Sequence, residues 1–249
     1  MHSEEWIYGL NPVLEALRAG RNIKTVYVSS GRHERVGQVR QEAEKRRIPV
    51  ETPDFTFFDN RFPKGHQGVA ARVVQRGYIS LDELLAIPAK RNEPALFVIL
   101  DGIEDPRNFG AILRSSDAAG VHGVVIQSHR SASLGPEVAK TSAGAVEYIP
   151  VSMVPNIKHA MREMKEKGII VIGSEAGDYP ALWEADLTVP LALVIGSEGK
   201  GTRKTVKENC DIIVNIPMRG KINSLNASVA AGVALFEILR QRAIKNKKF

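Results

Sequence analysis

From Pro94 onward, runs of consecutive apolar residues alternate with segments of helical periodicity, and few folds satisfy that alternation. A run that is apolar on both sides of an extended chain belongs in a sheet covered on both faces. Parallel strands need helical crossovers of the length found here. The alternation therefore predicts an α/β domain with a mostly parallel sheet. The predicted strands are LFVIL (96–100), GVVIQ (123–127), VEYIPV (146–151), IIVIGSE (169–175), LALVIGSE (191–198) and DIIVNIPM (211–218).

The pattern before residue 76 predicts a separate, smaller α/β unit. The strand KTVYVSS (24–30) precedes a charged helical segment, RVGQVRQEAEKRR (35–47), and aromatic residues with a Gly-rich turn lead into a final strand. Residues 76–93 have polar residues at both ends and a proline near the second, which is typical of a linker. We therefore expect one domain at 1–75, a linker at 76–93 and a second domain at 94–249.

The amino-acid composition limits which kinds of protein this chain can be and which kinds of partner it can bind. A formal net charge of +6 and a pI of about 9.4 favour an anionic partner such as a nucleic acid, with a merely basic surface as the alternative. The single cysteine, Cys210, excludes an internal disulfide and a cysteine-rich metal site. No apolar run reaches the roughly 20 residues that span a bilayer, and MHSEEWIYGL lacks the pattern of a signal peptide. We expect a cytoplasmic protein without a membrane partner.

Polar residues follow four of the predicted strands at the point where each strand ends. Ligands of open α/β sheets bind at these carboxyl ends. The segments DGIEDPRN, GSE, GSEGKG and MRGKINSLN therefore predict a shared cleft, with Asn108, Glu198 and Asn226 as polar side chains and without a metal-ligand cluster. GSEGKG is neither a Walker loop nor a GxGxxG dinucleotide motif, and a flexible turn is its alternative interpretation.

Each of these side chains also has a structural interpretation. Asn108 either caps the next helix or reaches into the cleft, and Glu198 is either merely exposed or interacts with a ligand.

Three further interpretations concern the last helix and Arg114. Ser224 is placed to cap the N-terminus of the last helix. Asn226 lies in the first turn of that helix, where free backbone donors favour polar ligand groups. Arg114 lies among small residues in FGAILRSSDAAG. It either forms an i,i+3 ion pair with Asp117 or faces a polyanion that these small residues allow to come close.

Three segments resemble, in order and spacing, the three sequence motifs of the SpoU/TrmH methyltransferases. They are DGIEDPRNFGAILRSSDAAG (101–120), LALVIGSEGKG (191–201) and IPMRGKINSLNASVAAGVALFEILRQ (216–241). Members of this SPOUT-superfamily group transfer a methyl group from S-adenosylmethionine to an RNA ribose 2'-hydroxyl. The resemblance covers about Pro94 to Gln241. Residues 1–75, with YGLNPVLEAL, resemble the ribosomal-protein-like substrate-binding domain of many members, a pairing most similar to the RlmB type, which methylates a guanosine in 23S ribosomal RNA.

The resemblance implies a fold, a cofactor and a set of site residues. The domain at 94–249 would contain a deep trefoil knot and form a homodimer with active sites near the subunit interface. S-Adenosylmethionine would be held, without a metal, by the backbone around Ile195, Gly196, Ile216, Met218 and Leu225. The positions that the family assigns to catalysis or its support are matched by Asn108, Arg114, Glu198, Ser224 and Asn226. Arg114 would either take the proton of the ribose hydroxyl or clamp a phosphate, and the first is disfavoured because a guanidinium holds its proton strongly.

Other functions stay open from the residues alone. A non-catalytic RNA-binding module and a nucleotide-dependent enzyme of the doubly wound kind are the alternatives by class. Ribosomal RNA is the expected partner, and a guanosine in tRNA is the alternative substrate. A basic cluster in the first domain either follows RNA phosphates or forms a solvated helix face. Its members are Arg32, Arg35, Arg40, Lys45, Arg46 and Arg47.

Overall fold

A computed structural model of the protein describes residues 3–30, 34–199 and 201–245. Within these residues the chain forms two compact units. Unit 1 comprises Met1–Gly77 and Ser133–Tyr148, and unit 2 comprises Tyr78–Ala132 and Ile149–Phe249. The chain therefore contributes to each unit twice.

Strands and helices alternate along most of the described chain. The strands are β1 (Glu4–Tyr8), β2 (Ile23–Val28), β3 (Val50–Glu51), β4 (Val69–Val74), β5 (Leu96–Asp101), β6 (Gly123–Gln127), β7 (Val151–Val154), β8 (Ile170–Ser174), β9 (Leu191–Gly196) and β10 (Ile212–Val214). The helices are α1 (Leu10–Arg18), α2 (Glu34–Lys45), α3 (Phe55–Asp59), α4 (Leu81–Leu85), α5 (Ile87–Arg91), α6 (Pro106–Ala118), α7 (Pro136–Thr141), α8 (Ile157–Glu166), α9 (Lys204–Lys207) and α10 (Ala227–Lys245), with 3-10 turns at Ala145–Glu147 and Leu182–Glu184. In this described part of the chain, none of the helices has both the length and the hydropathy to cross a membrane.

Unit 1 is built on a mixed four-stranded sheet in the order β1-β4-β2-β3. β4 runs antiparallel to β1 and β2, whereas β3 is parallel to β2. Helices α1 and α2 pack on this sheet and on each other, because α1 buries an apolar face that includes Val13 and Leu17. Tyr8 and Tyr27 extend from their strands into a separate cluster of aromatic side chains.

Residues Ser133–Tyr148 add α7 and a 3-10 turn to unit 1. The side chain of Glu147 is 2% exposed, and its carboxylate lies 2.7 Å from Arg21 Nη1 and 3.1 Å from Arg76 Nη1. Two guanidinium groups thus neutralise a carboxylate that would be costly to bury alone. The prediction of a strand at 146–151 is wrong, because residues 146–148 belong to unit 1 and β7 starts only at Val151.

Unit 2 contains a six-stranded sheet in the order β10-β8-β9-β5-β6-β7, and every neighbouring pair of strands is parallel. The parallel α/β sheet predicted from the apolar runs is confirmed. Each residue of β5 is buried, as expected for a central strand whose side chains alternate between two covered faces. The strand order reverses next to β5, and in such sheets ligands bind at the carboxyl ends beside this switch point.

The segment predicted as a linker, residues 76–93, is folded over most of its length. Ser80 and Glu83 form a capping box at the start of α4, and Leu84 and Leu85 are buried in the core of unit 2. Helices α4 and α5 contain five residues each, too few for helical periodicity to show in the sequence. The breaks at the ends of the segment are therefore helix caps and turns.

Cys210 is expected to react slowly with alkylating reagents in the native protein. It packs against the core of unit 2, and burial raises the pKa of its thiol from 9.0 to about 11. Because the thiolate is the reactive form, iodoacetamide labelling at mildly alkaline pH should be about 100-fold slower in the native protein than in concentrated urea. Mass spectrometry of timed samples measures both rates, and equal rates would contradict the expected protection.

Candidate active site

A cavity opens in unit 2 at the carboxyl ends of β8, β9 and β10. Its volume is about 340 Å³, within the range of roughly 300–1,000 Å³ typical of small-molecule sites. Asp101 at the end of β5 is in register with the last residue of β9, so the cavity lies beside the switch point of the sheet. It is lined by all five residues expected to hold the methyl donor: Ile195, Gly196, Ile216, Met218 and Leu225.

The loop after β9 closes on itself and lies against the end of that strand. Ser197 N donates to Gly201 O at 3.2 Å, and Gly201 N donates to Ser197 O at 2.9 Å. A Cβ on Gly196 would lie 2.2 Å from Gly201 C and from Thr202 N. Because backbone cannot move aside as a flexible side chain can, this position accepts only glycine while the loop keeps its course.

Two carboxylates outside the predicted set anchor this loop. Asp101, whose side chain is fully buried, accepts from Arg203 N at 2.8 Å and from Arg203 Nε at 2.6 Å. Glu175 lines the cavity, accepts from Thr202 N at 2.5 Å and lies 3.7 Å from Lys207 Nζ. Each of these carboxylates follows an apolar run, and this position was the indication that the sequence offered of a functional role. No local spacing in the sequence relates either carboxylate to the residues that it contacts.

Asn108, Glu198 and Asn226 meet through one amide group. Nδ2 of Asn226 donates to Oδ1 of Asn108 at 3.0 Å and to Oε1 of Glu198. Asn108 is buried, whereas Glu198 is exposed and lines the cavity. These residues come from three separate segments, which the parallel sheet brings to one edge because their strands all end there.

Asn226 also begins the last helix. Its Oδ1 accepts from the backbone N of Ser228 at 2.9 Å and of Val229 at 3.3 Å, the contacts of an N-cap. The prediction that Ser224 caps α10 is wrong, because the chain stays non-helical up to Asn226 and the helix starts at Ala227. Ser224 is instead exposed and lines the cavity.

Arg114 neither lines the cavity nor takes part in the hydrogen bonds that join Asn108, Glu198 and Asn226. It is exposed on α6 and forms no hydrogen bond or ion pair with any residue that the structure describes. The i,i+3 ion pair with Asp117 that its spacing allowed is therefore not formed. The structure leaves this guanidinium accessible to an anion from outside the chain.

Three side chains of the basic cluster in unit 1 are engaged in local contacts, whereas Arg47 is exposed. Arg32 lies outside the described residues. Arg40 donates to a threonine hydroxyl at 3.1 Å, Lys45 to a glutamate one helical turn away at 2.9 Å, and Arg46 to a backbone carbonyl at 3.0 Å. These contacts favour a solvated helix face, and phosphate binding by the cluster stays a prediction.

Comparison with known families assigns both parts of the chain. The family described as "SpoU rRNA Methylase family" matches residues 95–236. A second family, described as "RNA 2'-O ribose methyltransferase substrate binding", matches residues 6–78. The first match contains Asn108, Glu198 and Asn226, and therefore the group of side chains that meet at the edge of the cavity.

Individual proteins match over nearly the whole chain. The putative TrmH family tRNA/rRNA methyltransferase YacO of Bacillus subtilis (strain 168) is 41% identical over 96% of both chains. The 23S rRNA (guanosine-2'-O-)-methyltransferase RlmB of Pseudomonas putida is 38% identical over 98% of this chain and 100% of its own. The crystal structure of the SpoU methyltransferase AviRb from Streptomyces viridochromogenes, in complex with the cofactor AdoMet, matches with a TM-score of 0.81 at 27% identity over 97% of this chain and 91% of that chain. These findings confirm the resemblance seen in the motifs: the chain belongs to the SpoU/TrmH family of S-adenosylmethionine-dependent RNA 2'-O-methyltransferases.

Proposed function

We propose that this enzyme methylates the ribose 2'-hydroxyl of a guanosine in 23S ribosomal RNA. The observation that carries the proposal is the end-to-end match to the P. putida 23S rRNA enzyme, which extends over both the front domain and the methyltransferase domain. A match confined to the methyltransferase domain would identify the chemistry without the substrate. A guanosine in tRNA is the second candidate, because the B. subtilis relative is described as acting on tRNA or rRNA.

Labelled methyl transfer tests the substrate. The enzyme is incubated with labelled S-adenosylmethionine and either unmodified 23S ribosomal RNA or unmodified tRNA. Label in ribosomal RNA at one alkali-resistant linkage is the expected result, because a 2'-O-methyl group blocks alkaline cleavage. Label in tRNA alone would contradict the proposed ribosomal RNA substrate, although the enzyme would still be an RNA methyltransferase.

We assign RNA binding to the domain at 1–75 and methyl transfer to the domain at 94–249, in the cytoplasm. The family matches at 6–78 and 95–236 support these two roles. The net charge of +6 fits an RNA partner, and the single cysteine fits a reducing compartment.

The cavity has the chemistry that S-adenosylmethionine requires. Ile195, Ile216, Met218 and Leu225 offer apolar side chains to a flat ring, and the loop at Gly196 brings backbone groups close. The carboxylates of the lining complement a cationic ligand. When bound, this cofactor supplies a methyl group already activated on a positively charged sulfur. Within the described residues, no group of three or more His, Cys, Asp or Glu side chains is placed to hold a metal ion.

We propose that Arg114 is the catalytic residue that acts on the RNA. Its guanidinium has no partner among the described residues, so it is available to a phosphate beside the target ribose. Two parallel hydrogen bonds from the planar fork would fix the orientation of the 2'-hydroxyl. Taking the hydroxyl proton is the second possible role. In this proposal Asn108 and Asn226 hold the sugar or the arginine. Glu198 and Ser224 position the loop and the methyl donor.

Substitution of Asn226 should separate its two roles. Asn226→Ser keeps an oxygen for the helix cap but is too short to reach Asn108 and Glu198, whereas Asn226→Ala loses both functions. We expect Asn226→Ala to lower the free energy of unfolding by about 1 kcal/mol and Asn226→Ser to stay within about 0.5 kcal/mol of the parent. Both variants should lower kcat about 10- to 100-fold, because Glu198 loses the donor that positions it. Urea denaturation and methyl transfer measure the two effects, and full activity in Asn226→Ser would contradict the positioning role.

We propose that the enzyme is a homodimer formed through the methyltransferase domain. Helix α10 exposes Val229, Val233 and Phe236 to 49%, 42% and 50%. Their i, i+4, i+7 spacing places them on one helix face, which a second copy would cover. Arg114 belongs to α6, and α6 packs on α10. Arg114 therefore lies on a helix next to the one that exposes this apolar face.

Phe236→Glu is expected to produce a monomer, since a charge cannot be buried unpaired at the centre of an interface. Light scattering after size exclusion measures the mass, and Arg162→Glu on the exposed side of α8 serves as the control. A dimer in Phe236→Glu would contradict the assignment of this face.

We also propose the deep trefoil knot that the family resemblance implies. The chain after β10 runs beside the loop that follows β8: Asn215 N donates to Pro180 O at 2.9 Å, and Leu182 N donates to Asn215 O at 2.8 Å. These contacts bring together two segments that would be neighbours in a threaded connection, an arrangement that general topology rules alone would disfavour.

A further inference from the structure

Unit 1 concentrates the aromatic residues of the chain in one cluster on its sheet. Of the eight Phe, two Trp and five Tyr residues in the chain, seven belong to it: Trp6, Tyr8, Tyr27, Phe55, Phe57, Phe58 and Phe62. Trp6 and Phe57 are only partly buried, and Phe55 is 51% exposed. The cluster therefore has a buried centre and an open rim of aromatic rings.

The side chain of Arg61 covers part of this rim. The guanidinium carbon of Arg61 lies 4.5 Å from the ring centroid of Phe57 and 5.5 Å from that of Trp6. Arg72 also approaches Trp6, at 6.0 Å, but it is paired with Glu4. Arg61 is exposed and has no ion pair with any residue that the structure describes. Its positive charge is therefore available to a ligand while its planar group rests on two rings.

This combination suits a flat ligand that carries a negative charge. Nucleobases stack on aromatic rings and on guanidinium planes, and a phosphate binds an unpaired guanidinium. A surface that only closed the core would need neither partly exposed rings nor an unpaired cation. We propose that Trp6, Phe57 and Arg61, the stacking surface, bind an unpaired nucleotide of the RNA substrate. The inference rests on the proposed function in one respect, that the substrate is RNA.

The emission of Trp6 reports directly on stacking. The chain has two tryptophans, and Trp183→Phe in unit 2 leaves Trp6 as the only tryptophan, which is excited selectively at the red edge of the absorption band. Trp183 is 53% exposed, so its replacement should not disturb the fold. A single-stranded RNA oligonucleotide is expected to quench Trp6 to saturation, whereas inorganic polyphosphate, which has charge but no base, should not. Equal quenching by polyphosphate, or none by RNA, would overturn the proposal.

Two substitutions in the Trp183→Phe background test the named side chains. Phe57→Leu removes a ring while keeping an apolar group, and Arg61→Ala removes the cation. Each should weaken binding of the oligonucleotide about tenfold and leave S-adenosylmethionine binding unchanged. Arg18→Ala is the matched control, because Arg18 is an exposed arginine of the same unit that pairs with Glu15. Parental RNA affinity in a folded Arg61→Ala protein, checked by thermal melting, would overturn the assignment.

The same experiments separate this inference from the proposed function. Quenching of Trp6 by RNA, with no methyl transfer to 23S ribosomal RNA, would support the stacking surface and overturn the proposed substrate. Methyl transfer to 23S ribosomal RNA without quenching of Trp6 would support the substrate and overturn the stacking surface.

Discussion

Replacing Arg114 by alanine is expected to lower kcat for methyl transfer by about 100- to 10,000-fold while S-adenosylmethionine binds with nearly parental affinity. The guanidinium is exposed and forms no hydrogen bond or ion pair with the described residues that its removal would break. The free energy of unfolding should therefore stay within about 0.5 kcal/mol of the parent. Single-turnover transfer with labelled donor measures the chemical step, and calorimetry measures donor affinity.

Two further variants define what Arg114 does. Arg114→Lys keeps the charge but loses the planar fork, so we expect it to recover little activity if two-point binding of a phosphate is the role. Arg162→Ala removes a surface arginine of α8 and should be as active as the parent. Near-normal turnover of Arg114→Ala would show that the residue is not catalytic.

The Gly196→Ala variant is expected to lose donor binding and stability together. The added Cβ would lie 2.2 Å from backbone atoms of Gly201 and Thr202, so the loop that carries Glu198 has to move. Overpacking of this kind costs about 1–3 kcal/mol. Because Gly196 itself lines the cavity, the displaced loop should also weaken S-adenosylmethionine binding at least about tenfold.

Gly220→Ala provides the matched control for this effect. It lies in the segment before α10, its φ is not in the left-handed region, and its added Cβ would find the nearest atom, Ile222 N, only at 4.0 Å. Urea denaturation and calorimetric titration should therefore distinguish the two alanines. If Gly196→Ala bound S-adenosylmethionine with parental affinity, the contact between the end of β9 and the loop after it would not be as tight as described.

Several features of this protein follow from local sequence pattern. The apolar runs predicted five of the six strands of the parallel sheet, because a strand buried on both faces has to be apolar throughout. The strand-end rule then selected Asn108, Glu198 and Asn226, which the structure brings together. Motif resemblance supplied the residues predicted to bind the donor, and these line the cavity.

Local pattern misplaced elements whose environment comes from distant residues. Ser224 and Asn226 are equally good cap residues by type, and only the course of the chain before α10 selects Asn226. The residues at 146–151 are apolar enough for a strand, but residues 146–148 belong to unit 1, where Glu147 pairs with Arg21. Leu84 and Leu85 lie in a helix, α4, that is too short to show helical periodicity in the sequence.

The sequence by itself determined the fold class, the family and the polar residues at the strand ends, because periodicity and motif spacing are properties of neighbouring residues. Tertiary structure alone decided which groups touch. Asn226 meets a partner 118 residues away, and Asp101 anchors Arg203 across 102 residues. The Arg61 guanidinium rests on the ring of Trp6. These contacts depend on how strands and loops are brought together in space, and no local pattern encodes that arrangement.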